Sequence, residues 1–200
     1  MPDYAVWSPV THTVFVADLH FGKEASFRVK GIPIPDVISQ NLKRLDRLIQ
    51  ETRCQQLIIL GDLLHSRSGR SSQLFERIAC WRRNHHQVRM TLIRGNHDRH
   101  AGKPPENWGI ICEEEPFEFH GIQLFHHPPF DDSIPSLAGH LHPKFRLEGQ
   151  GERLDLPGFL LRDQTLVLPA FSTFIDHGLI PPLQDDRFYV IADQEVFLMQ

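Results

Sequence analysis

Four short polar motifs, each directly after a short apolar run, constrain what this chain of 200 residues can fold into. A short apolar run that ends in glycine, aspartate or histidine is typical of a buried strand followed by a loop. Ligands of open α/β sheets bind beyond the carboxyl ends of the strands, where such loops meet. The motifs are Asp18-Leu19-His20, Gly61-Asp62, Gly95-Asn96-His97-Asp98 and Gly139-His140-Leu141-His142.

The first half of the chain predicts parallel strands joined by helices. Strand, helix, strand, helix, strand at this spacing is typical of right-handed parallel crossovers. After the first strand, Gly31, Pro33 and Pro35 forbid a long helix up to about residue 35. The predicted strands are Thr13–Ala17, Leu57–Leu60 and Val88–Ile93, and the predicted helices run from the N-cap Asp36 to about Thr52 and over Gln73–Asn84.

After about residue 108 the pattern changes to short strands separated by Gly, Pro or Asp, as in antiparallel hairpins. No long linker separates the halves, and the motifs come from both. We therefore expect residues 1–200 to form one α/β domain of two packed mixed β-sheets flanked by helices. The strand candidates are Ile110–Cys112, Phe117–His120, Ile122–Phe125, Phe145–Leu147, Arg153–Leu156, Phe159–Leu161, Thr165–Leu168, Phe188–Ile191 and Val196–Met199.

Composition excludes several classes of protein. With 40% hydrophobic and 23% charged residues, the chain is ordinary globular material. Its three cysteines are odd in number and lack metal-binding spacing, which favours a reduced, cytoplasmic protein. The N-terminus shows no basic segment followed by an apolar stretch, so we expect no secretion signal. No apolar run approaches the roughly 20 residues that span a bilayer, so no membrane association is expected.

Charge gives a hint about the substrate. The net charge of −4 argues against a protein that coats nucleic acid without specificity. The basic segment, Arg67–Lys103, nevertheless carries nine Lys or Arg against Glu76 and Asp98. This segment lies next to two of the motifs and could guide a polyanionic substrate. A solvated helix face carrying Arg77, Arg82 and Arg83 is an equally good interpretation.

The four motifs supply the ligand types of a two-metal site. Carboxylate, imidazole and amide oxygen together suit two adjacent divalent cations, which usually share a carboxylate. Asp18, Asp62 and Asn96 lie one to three residues past predicted strand ends, so their side chains can converge. Asp62 is the candidate for the shared carboxylate, because Gly61 lets the backbone turn close to the metals. The pattern predicts an enzyme with a two-metal site.

The order Asp-x-His, Gly-Asp, Gly-Asn-His-Asp, His and Gly-His-x-His resembles the calcineurin-like metallophosphoesterase family, over Asp18 to His142. The resemblance implies a four-layer α/β/β/α sandwich. Of the adjacent pair His126 and His127, the family pattern favours His126 as the ligand, leaving His127 as a substrate contact or a bystander. The resemblance further implies that Asp18, His20 and His142 bind one metal, that Asn96, His126 and His140 bind the other, and that Asp62 bridges them.

The same resemblance implies a mechanism. A metal-activated hydroxide attacks phosphorus in line with the leaving group. His97 then protonates the leaving oxygen or stabilises charge on the phosphoryl group, and Asp98 orients His97. Manganese is the first choice of metal. Iron and zinc remain alternatives, because selectivity depends on geometry and availability.

Details outside the metal motifs resemble the small bacterial phosphoesterases associated with DNA ligase and the DNA-damage response, also described as ICC-like. The narrower resemblance implies an endonuclease acting on phosphodiester bonds of nucleic acid, with DNA-ligase-associated repair proteins as partners. Arg28 could bind the substrate phosphate or form a surface salt bridge, and His65 could line the site or lie in a surface loop. The segments are Phe21-Gly22-Lys23-Glu24, Phe27-Arg28, Gly31-Ile32-Pro33-Ile34-Pro35, His65-Ser66 and Leu168-Pro169-Ala170-Phe171.

Two other functions remain open on sequence grounds. A phosphomonoesterase or small-nucleotide phosphodiesterase could use the same site, and its activity would not respond to neutralising Arg67, Arg70, Arg82 and Arg83. A non-catalytic, metal-binding repair scaffold is the second alternative. A scaffold would be expected to carry a broken motif, whereas the motif set here is complete.

Overall fold

The computed structural model describes residues 1–29, 34, 36–130, 133–149, 152–175 and 178–199, with the side chains of Ser26, Arg28 and Val29 left aside. The helices are α1 Lys23–Val29, α2 Val37–Thr52, α3 Ser72–Asn84 and α4 Asn96–Ala101, with two 3₁₀ turns at Arg67–Gly69 and Glu106–Trp108. The strands are β1 Val6–Ser8, β2 Thr13–Val16, β3 Gln56–Leu60, β4 Arg89–Ile93, β5 Ile110–Glu113, β6 Phe117–Phe119, β7 Ile122–Leu124, β8 Ser136–Ala138, β9 Pro143–Gly149, β10 Glu152–Arg162, β11 Thr165–Val167, β12 Gly178–Leu179, β13 Arg187–Ala192 and β14 Glu195–Met199.

Sheet 1 contains five strands in the order β1-β2-β3-β4-β5. β1 runs antiparallel to β2, and the other neighbours are parallel, so the predicted crossovers are confirmed. One face of the sheet packs on buried residues of α2, α3 and α4, and the other face packs on the second sheet. Burial on both faces explains why these strands form continuous apolar runs rather than alternating patterns.

Helix α2 confirms the predicted amphipathic helix. The Asp36 carboxylate accepts the Ser39 N–H at 3.2 Å, as expected of an N-cap, and the helix ends at Arg53 in a left-handed conformation. The short helix α1 occupies part of the segment predicted as a loop, whereas Gly31, Pro33 and Pro35 lie outside the described residues. Among the described helices, none combines the length and apolar character needed to cross a membrane.

Sheet 2 contains nine strands, with β12-β9-β10-β11-β8-β7-β6 in order and β13 joining β10 to β14. The sequence predicted two strands where the structure has the single long β10. This strand changes partner at Pro157-Gly158, pairing with β9 up to Pro157 and with β13 and β11 beyond it. Pro157 is tolerated because it lies at the last pair with β9, where the lost N–H donor matters least.

Three apolar clusters separate the layers. The cluster between the sheets includes Phe15 and Ile58 of sheet 1 with Leu124 and Phe159 of sheet 2. The predicted class, two mixed β-sheets flanked by helices, is confirmed. Helices cover sheet 1, whereas the cluster on the outer face of sheet 2 consists of strand and loop residues. Its members are Leu160, Val167, Phe188 and Val190, with Phe130, Leu141, Phe145, Leu156, Ile180 and Met199 packed against them.

Candidate metal centre

The structure brings the predicted metal ligands together at the carboxyl ends of sheet 1 and under two loops of sheet 2. Strands β2, β3 and β4 lead directly into the first three motifs, while β7 and β8 lead into the last histidines. We call these side chains the candidate metal centre. Its members are Asp18, His20, Asp62, Asn96, His126, His140 and His142.

Five of these residues adopt a left-handed backbone conformation, which costs an L-residue about 1–2 kcal/mol. Hydrogen bonds between the loops hold this geometry: the Asp18 N–H donates to the Gly61 carbonyl at 3.1 Å, and the His20 N–H donates to the Asp62 carbonyl at 2.8 Å. Strain of this kind persists where the surroundings fix it, and it concentrates at functional sites. The φ values are 56° for Asp18, 46° for His20, 53° for Asp62, 72° for His140 and 48° for His142.

In each of the two carboxylates of the centre, one oxygen accepts a backbone hydrogen bond and the other faces the ligand atoms. Asp18 Oδ2 accepts the His140 N–H at 2.9 Å, and Asp62 Oδ1 accepts the His97 N–H at 2.9 Å. Each carboxylate therefore fixes a loop with one oxygen. The other oxygen, Asp18 Oδ1 or Asp62 Oδ2, faces the ring nitrogens of the centre.

One group of ligand atoms surrounds Asp18 Oδ1. This oxygen lies 3.3 Å from His142 Nε2 and 3.9 Å from His20 Nε2. His20 Nε2 also lies 3.5 Å from Asp62 Oδ2. Although His20 is buried, its Nε2 has no hydrogen-bond partner among the described residues. A buried polar atom without a hydrogen-bond partner destabilises the fold by its desolvation free energy, unless a ligand binds it.

A second group surrounds His126, which is fully buried. Its Nδ1 lies 3.1 Å from the Leu60 carbonyl, which can only accept, so Nδ1 carries the proton and Nε2 carries a lone pair. Nε2 lies 3.0 Å from Asn96 Oδ1, 3.1 Å from His140 Nδ1 and 3.6 Å from Asp62 Oδ2. Acceptor atoms that face one another at these distances need a cation or a proton between them.

Two glycines make room for this group. Gly61 has φ +85°, and a Cβ there would overlap the ring of His126. A Cβ on Gly95 would overlap Asp62 Oδ1 and would lie 2.9 Å from His126 Nε2. The motif glycines are therefore required by close approach of side chains, in addition to the turn that the sequence predicted.

Burial sets the protonation of the centre. Burial, together with the nearby carboxylates of Asp18 and Asp98, raises the pKa of Asp62 to about 8. Burial would also raise the pKa of Asp18, but hydrogen bonding and charge from the neighbouring histidines lower it overall. Burial lowers the pKa of His20 to about 2 and that of His140 to about 4. Burial also lowers the pKa of His126, so these three imidazoles are neutral near pH 7 and have lone pairs for a metal.

These donors fit divalent metal ions. Three of the groups that could hold an ion are Asp18-His20-His142, Asp18-Asp62-His126 and His126-His127-His140, each with ligand atoms within 4.8 Å of one another. Imidazole, carboxylate and amide oxygens together suit manganese, iron or zinc. A cation would also relieve the repulsion that raises the pKa of Asp62.

His97 lies beside the centre, but the group that orients its ring differs from the expected one. The ring Nδ1 donates to the His65 carbonyl oxygen at 2.7 Å. The Asp98 carboxylate instead accepts the Leu64 and Gly95 N–H groups, each at 3.0 Å. Asp98 therefore acts on His97 through the backbone, by fixing the two loops that carry it and its carbonyl partner. The orientation of His97 by Asp98 stays a prediction, and it would act through the backbone rather than through the ring.

Of the two predicted substrate-binding residues, the structure brings His65 to the centre. Its Nδ1 lies 3.2 Å from His20 Nδ1, and its ring stacks on His97 with centroids 4.8 Å apart. Burial lowers the pKa of His65 to about 4, so the ring is neutral. Arg28 lies in α1, and its side chain is outside the part of the chain that the structure describes.

The basic segment is less available than its composition suggests. Arg82 is only 6% exposed and donates to the carbonyl oxygens of Trp108 at 2.7 Å and His85 at 2.8 Å, so both interpretations offered for it are wrong. Arg77 forms a salt bridge of 2.7 Å with Asp36. Arg82 therefore cannot guide a substrate, and the charge of Arg77 is already balanced by an acidic side chain at the surface.

Glu115 is a residue of this region that the sequence analysis missed. It follows β5 and accepts three hydrogen bonds: the backbone N–H groups of His126 and His127, each at 2.8 Å, and His127 Nδ1 at 2.7 Å. Glu115 precedes β6, and His126 and His127 follow β7, so the contact lies at the open end of the β6–β7 hairpin. His127 itself packs against His126 and His140, with ring centroids 4.7 and 4.4 Å away.

The chain is similar to known proteins over most of its length. The sequence model of the family described as calcineurin-like phosphoesterase matches residues 11–186. The structure is similar to that of the nuclease MPE from Pseudomonas putida, with a TM-score of 0.87, 39% identity and coverage of 100% of this chain and 93% of that one. It is also similar to Yfce, a phosphoesterase from E. coli, with a TM-score of 0.46, 17% identity and coverage of 94% and 97%. No curated protein shows significant similarity to the chain.

Proposed function

The chain belongs to the calcineurin-like phosphoesterase family and is a metal-dependent phosphoesterase, and on this premise we propose that it cleaves phosphodiester bonds of nucleic acid at a centre of two divalent metal ions. The position of Asp62 carries the proposal. Its Oδ2 lies 3.5 Å from His20 Nε2 in one group of ligands and 3.6 Å from His126 Nε2 in the other. A carboxylate oxygen between two sets of imidazoles is suited to two adjacent cations.

The ligand sets follow from these distances and from the motifs. Asp18, His20 and His142 would hold one ion, and Asp62 would be shared between the two ions. Asn96, His126 and His140 would hold the other ion. For the second ion we choose His126 over His127, because it is fully buried and its Nε2 lies 3.0 Å from Asn96 Oδ1.

His97 is the proposed catalytic residue. When bound, two divalent cations neutralise phosphoryl oxygens and activate water as a nucleophile near neutral pH. His97 Nδ1 donates to the His65 carbonyl, so Nε2 is the atom that reaches the substrate. The His97 side chain is 37% exposed, and its Nε2 lies 4.0 Å from Asp62 Oδ2. From this position it can give a proton to the leaving oxygen or stabilise charge on the phosphoryl group.

Nucleic acid as the substrate is supported by two observations. The Pseudomonas putida protein, 39% identical over the whole chain, is a nuclease. In addition, Arg67 and Lys103 of the basic segment are exposed near the end of α4, the helix that carries His97: Arg67 Nε donates to the His100 carbonyl oxygen at 3.0 Å, and Lys103 follows the helix. These charges, with Arg28 and His65 as further candidates, would bind a polyanionic strand. We extend this proposal to a role in DNA repair beside a DNA ligase.

Three further assignments complete the proposal. Manganese is the preferred metal, with iron and zinc as alternatives that suit the same donors. A cytoplasmic location is supported by the three cysteines, Cys54, Cys80 and Cys112, all of which are free. We treat residues 1–200 as one domain, because both sheets supply ligands to one centre.

The direct test is metal-dependent hydrolysis. The protein is stripped with a chelator and reloaded with manganese, iron or zinc, and the bound metal is counted. Hydrolysis of bis-(p-nitrophenyl) phosphate is then compared with hydrolysis of p-nitrophenyl phosphate, followed by single-stranded and duplex DNA. We expect two metal ions per chain, faster cleavage of the diester, and nicking or cutting of DNA.

Each other outcome identifies a different function. Faster cleavage of the monoester would make the chain a phosphomonoesterase. Cleavage of small diesters without cleavage of DNA would indicate a small-nucleotide phosphodiesterase. Two bound metals without hydrolysis of any of these substrates would favour the non-catalytic scaffold.

A further inference from the structure

Two half-exposed histidines lie on opposite sides of the candidate metal centre. His97, 37% exposed, packs against His20 with ring centroids 4.8 Å apart. His127, 41% exposed, packs against His140 with ring centroids 4.4 Å apart. The other histidines of the centre are more deeply buried, so these two rings are the ones that a bound substrate meets on each side.

The ring of His127 is held as firmly as that of His97. Glu115 Oε1 accepts the proton of His127 Nδ1 at 2.7 Å, while Oε2 accepts the His126 and His127 backbone N–H groups. Glu115 itself is only 15% exposed, and Arg99 of α4 lies 3.7 Å from its Oε1. One carboxylate therefore fixes the peptide of His127 and accepts its Nδ1 proton, so Nε2 is the ring nitrogen that remains for a ligand.

A purely structural histidine would be placed differently. Buried histidines of a core use both ring nitrogens within the protein, as His126 does with Leu60 and the centre. His127 uses one nitrogen inside and keeps the rest of its ring at the surface beside the centre. Glu115 is largely withdrawn from solvent and accepts three hydrogen bonds, which is costly for a charged group. Such an arrangement is not expected around a histidine that has no function.

We propose that His127 is a second substrate-contacting residue: as an imidazolium paired with the Glu115 carboxylate, it donates Nε2–H to a phosphoryl oxygen of the substrate on the side of the centre opposite His97, and Glu115 is its positioning residue. The inference rests on the proposed function, because it assigns a further contact in the same site. His97 and His127 would then hold the phosphoryl group from both sides. A third ligand on the second metal is the competing role for His127, because one of its nitrogens lies within 4.8 Å of ligand atoms of His126 and His140.

The test compares His127→Asn and Glu115→Gln with Glu114→Gln. Glu114 is the matched control: it precedes Glu115, is 56% exposed and pairs with Arg94 and Arg99. Each manganese-loaded protein is analysed for metal content, for the Kd of inorganic phosphate by calorimetry, and for kcat and KM on bis-(p-nitrophenyl) phosphate.

We expect His127→Asn to keep its metal and to raise both the phosphate Kd and the diester KM about tenfold, the loss of one charge-assisted hydrogen bond. The kcat should change less than KM. Glu115→Gln should produce a smaller change of the same kind and add nothing when combined with His127→Asn. The Glu114→Gln variant should match the wild type.

Two results would overturn the proposal. Unchanged phosphate Kd and KM in His127→Asn would make the residue a bystander, and loss of one metal ion per chain would make it a metal ligand. Additive effects of Glu115→Gln and His127→Asn would remove Glu115 as the positioning residue. If the wild type hydrolyses no ester, the proposed function fails, while the phosphate Kd still tests the contact with His127.

Discussion

Sheet 1 and sheet 2 supply different chemistry to the same centre. The loops of sheet 1 carry both carboxylates and the amide, Asp18, Asp62 and Asn96, whereas the loops of sheet 2 carry only imidazoles. The carboxylates also organise the loops, because Asp18 Oδ2 binds the His140 N–H across the two sheets. Sheet 1 therefore supplies the carboxylates that hold the loops together, and sheet 2 adds imidazoles to the same centre.

The difference follows from burial. Sheet 1 is covered on both faces, so its strands are rigid and its loops can keep strained conformations. Sheet 2 has a smaller cluster on its outer face, and β14 leaves Val196, Phe197 and Leu198 between 38% and 49% exposed. Removing a group from the loops of sheet 1 should therefore do more damage than removing one from sheet 2.

Asp62→Asn should produce the largest loss. It removes the charge shared by both ligand groups, and it weakens the acceptor of the His97 N–H. We expect kcat/KM for the diester to fall at least about 10³-fold, or more than ~4 kcal/mol of transition-state stabilisation, with loss of bound manganese. His140→Asn, which removes one imidazole of sheet 2, should lose less. Equal losses in the two variants would contradict the proposed division between the sheets.

His97→Ala should have the next largest effect. The side chain is not a proposed ligand, so the variant should keep both metal ions. Loss of a proton donor or charge stabiliser typically lowers the rate by about 10²–10⁴-fold, and we expect the effect in kcat. A variant that loses metal together with activity would show that His97 supports the centre rather than the chemistry.

Much of sheet 1 could be predicted from the sequence. Continuous apolar runs identified β2, β3 and β4, and the residues after them could be assigned to one edge of a sheet. The choice between His126 and His127 needed the family pattern. Adjacent residues at a strand end point to opposite faces, and the sequence alone did not say which face meets the centre. In the structure the two rings differ in burial: His126 is fully buried beside Asn96, whereas the His127 side chain is 41% exposed.

What could not be predicted depends on contacts between distant segments. Glu115 binds His127 across the open end of the β6–β7 hairpin, and Asp98 accepts the Leu64 N–H from 34 residues away. The burial of Arg82 is a tertiary effect too, since an arginine on an amphipathic helix normally faces solvent. Sequence periodicity describes one element at a time and contains no information about these pairs.

Packing should follow the same contrast between the sheets. Leu57 of sheet 1 is 1% exposed in the large cluster under the helices, and Leu160 of sheet 2 is fully buried in the small outer cluster. Leu57→Ala should lower the free energy of unfolding by about 3–5 kcal/mol, and Leu160→Ala by about 2–3 kcal/mol. Leu154→Ala is the control: 55% exposed on β10, it should cost less than about 0.5 kcal/mol. Denaturant unfolding of metal-free proteins measures these values, and a larger loss at Leu160 would reverse the comparison.

The smallest expected effect is a pH dependence that the carboxylates of sheet 1 produce. The pKa of Asp62 is raised to about 8 in the folded, metal-free protein. Because the folded state holds this proton more tightly than the unfolded state, the contribution to stability is full below pH 4 and is lost as pH rises through 8. The free energy of unfolding should therefore fall by about 1 kcal/mol between pH 7 and pH 8.

This window also separates Asp62 from the histidines of the centre. Burial lowers the pKa of His20 and His140 in the folded state, so these imidazoles destabilise the fold only as pH falls below about 6.5, where they become charged in the unfolded chain. Above pH 7 their contribution is constant. Burial also lowers the pKa of the Met1 ammonium and raises that of Asp98, so the Asp62→Asn variant is needed to isolate the part due to Asp62. Asp62→Asn should abolish that part of the fall in stability between pH 7 and pH 8, and bound manganese should abolish it in the wild type. A metal-free wild type that is more stable at pH 8 than at pH 7 would contradict this account. It would show that repulsion among the carboxylates of sheet 1 is not the reason why the centre binds a cation.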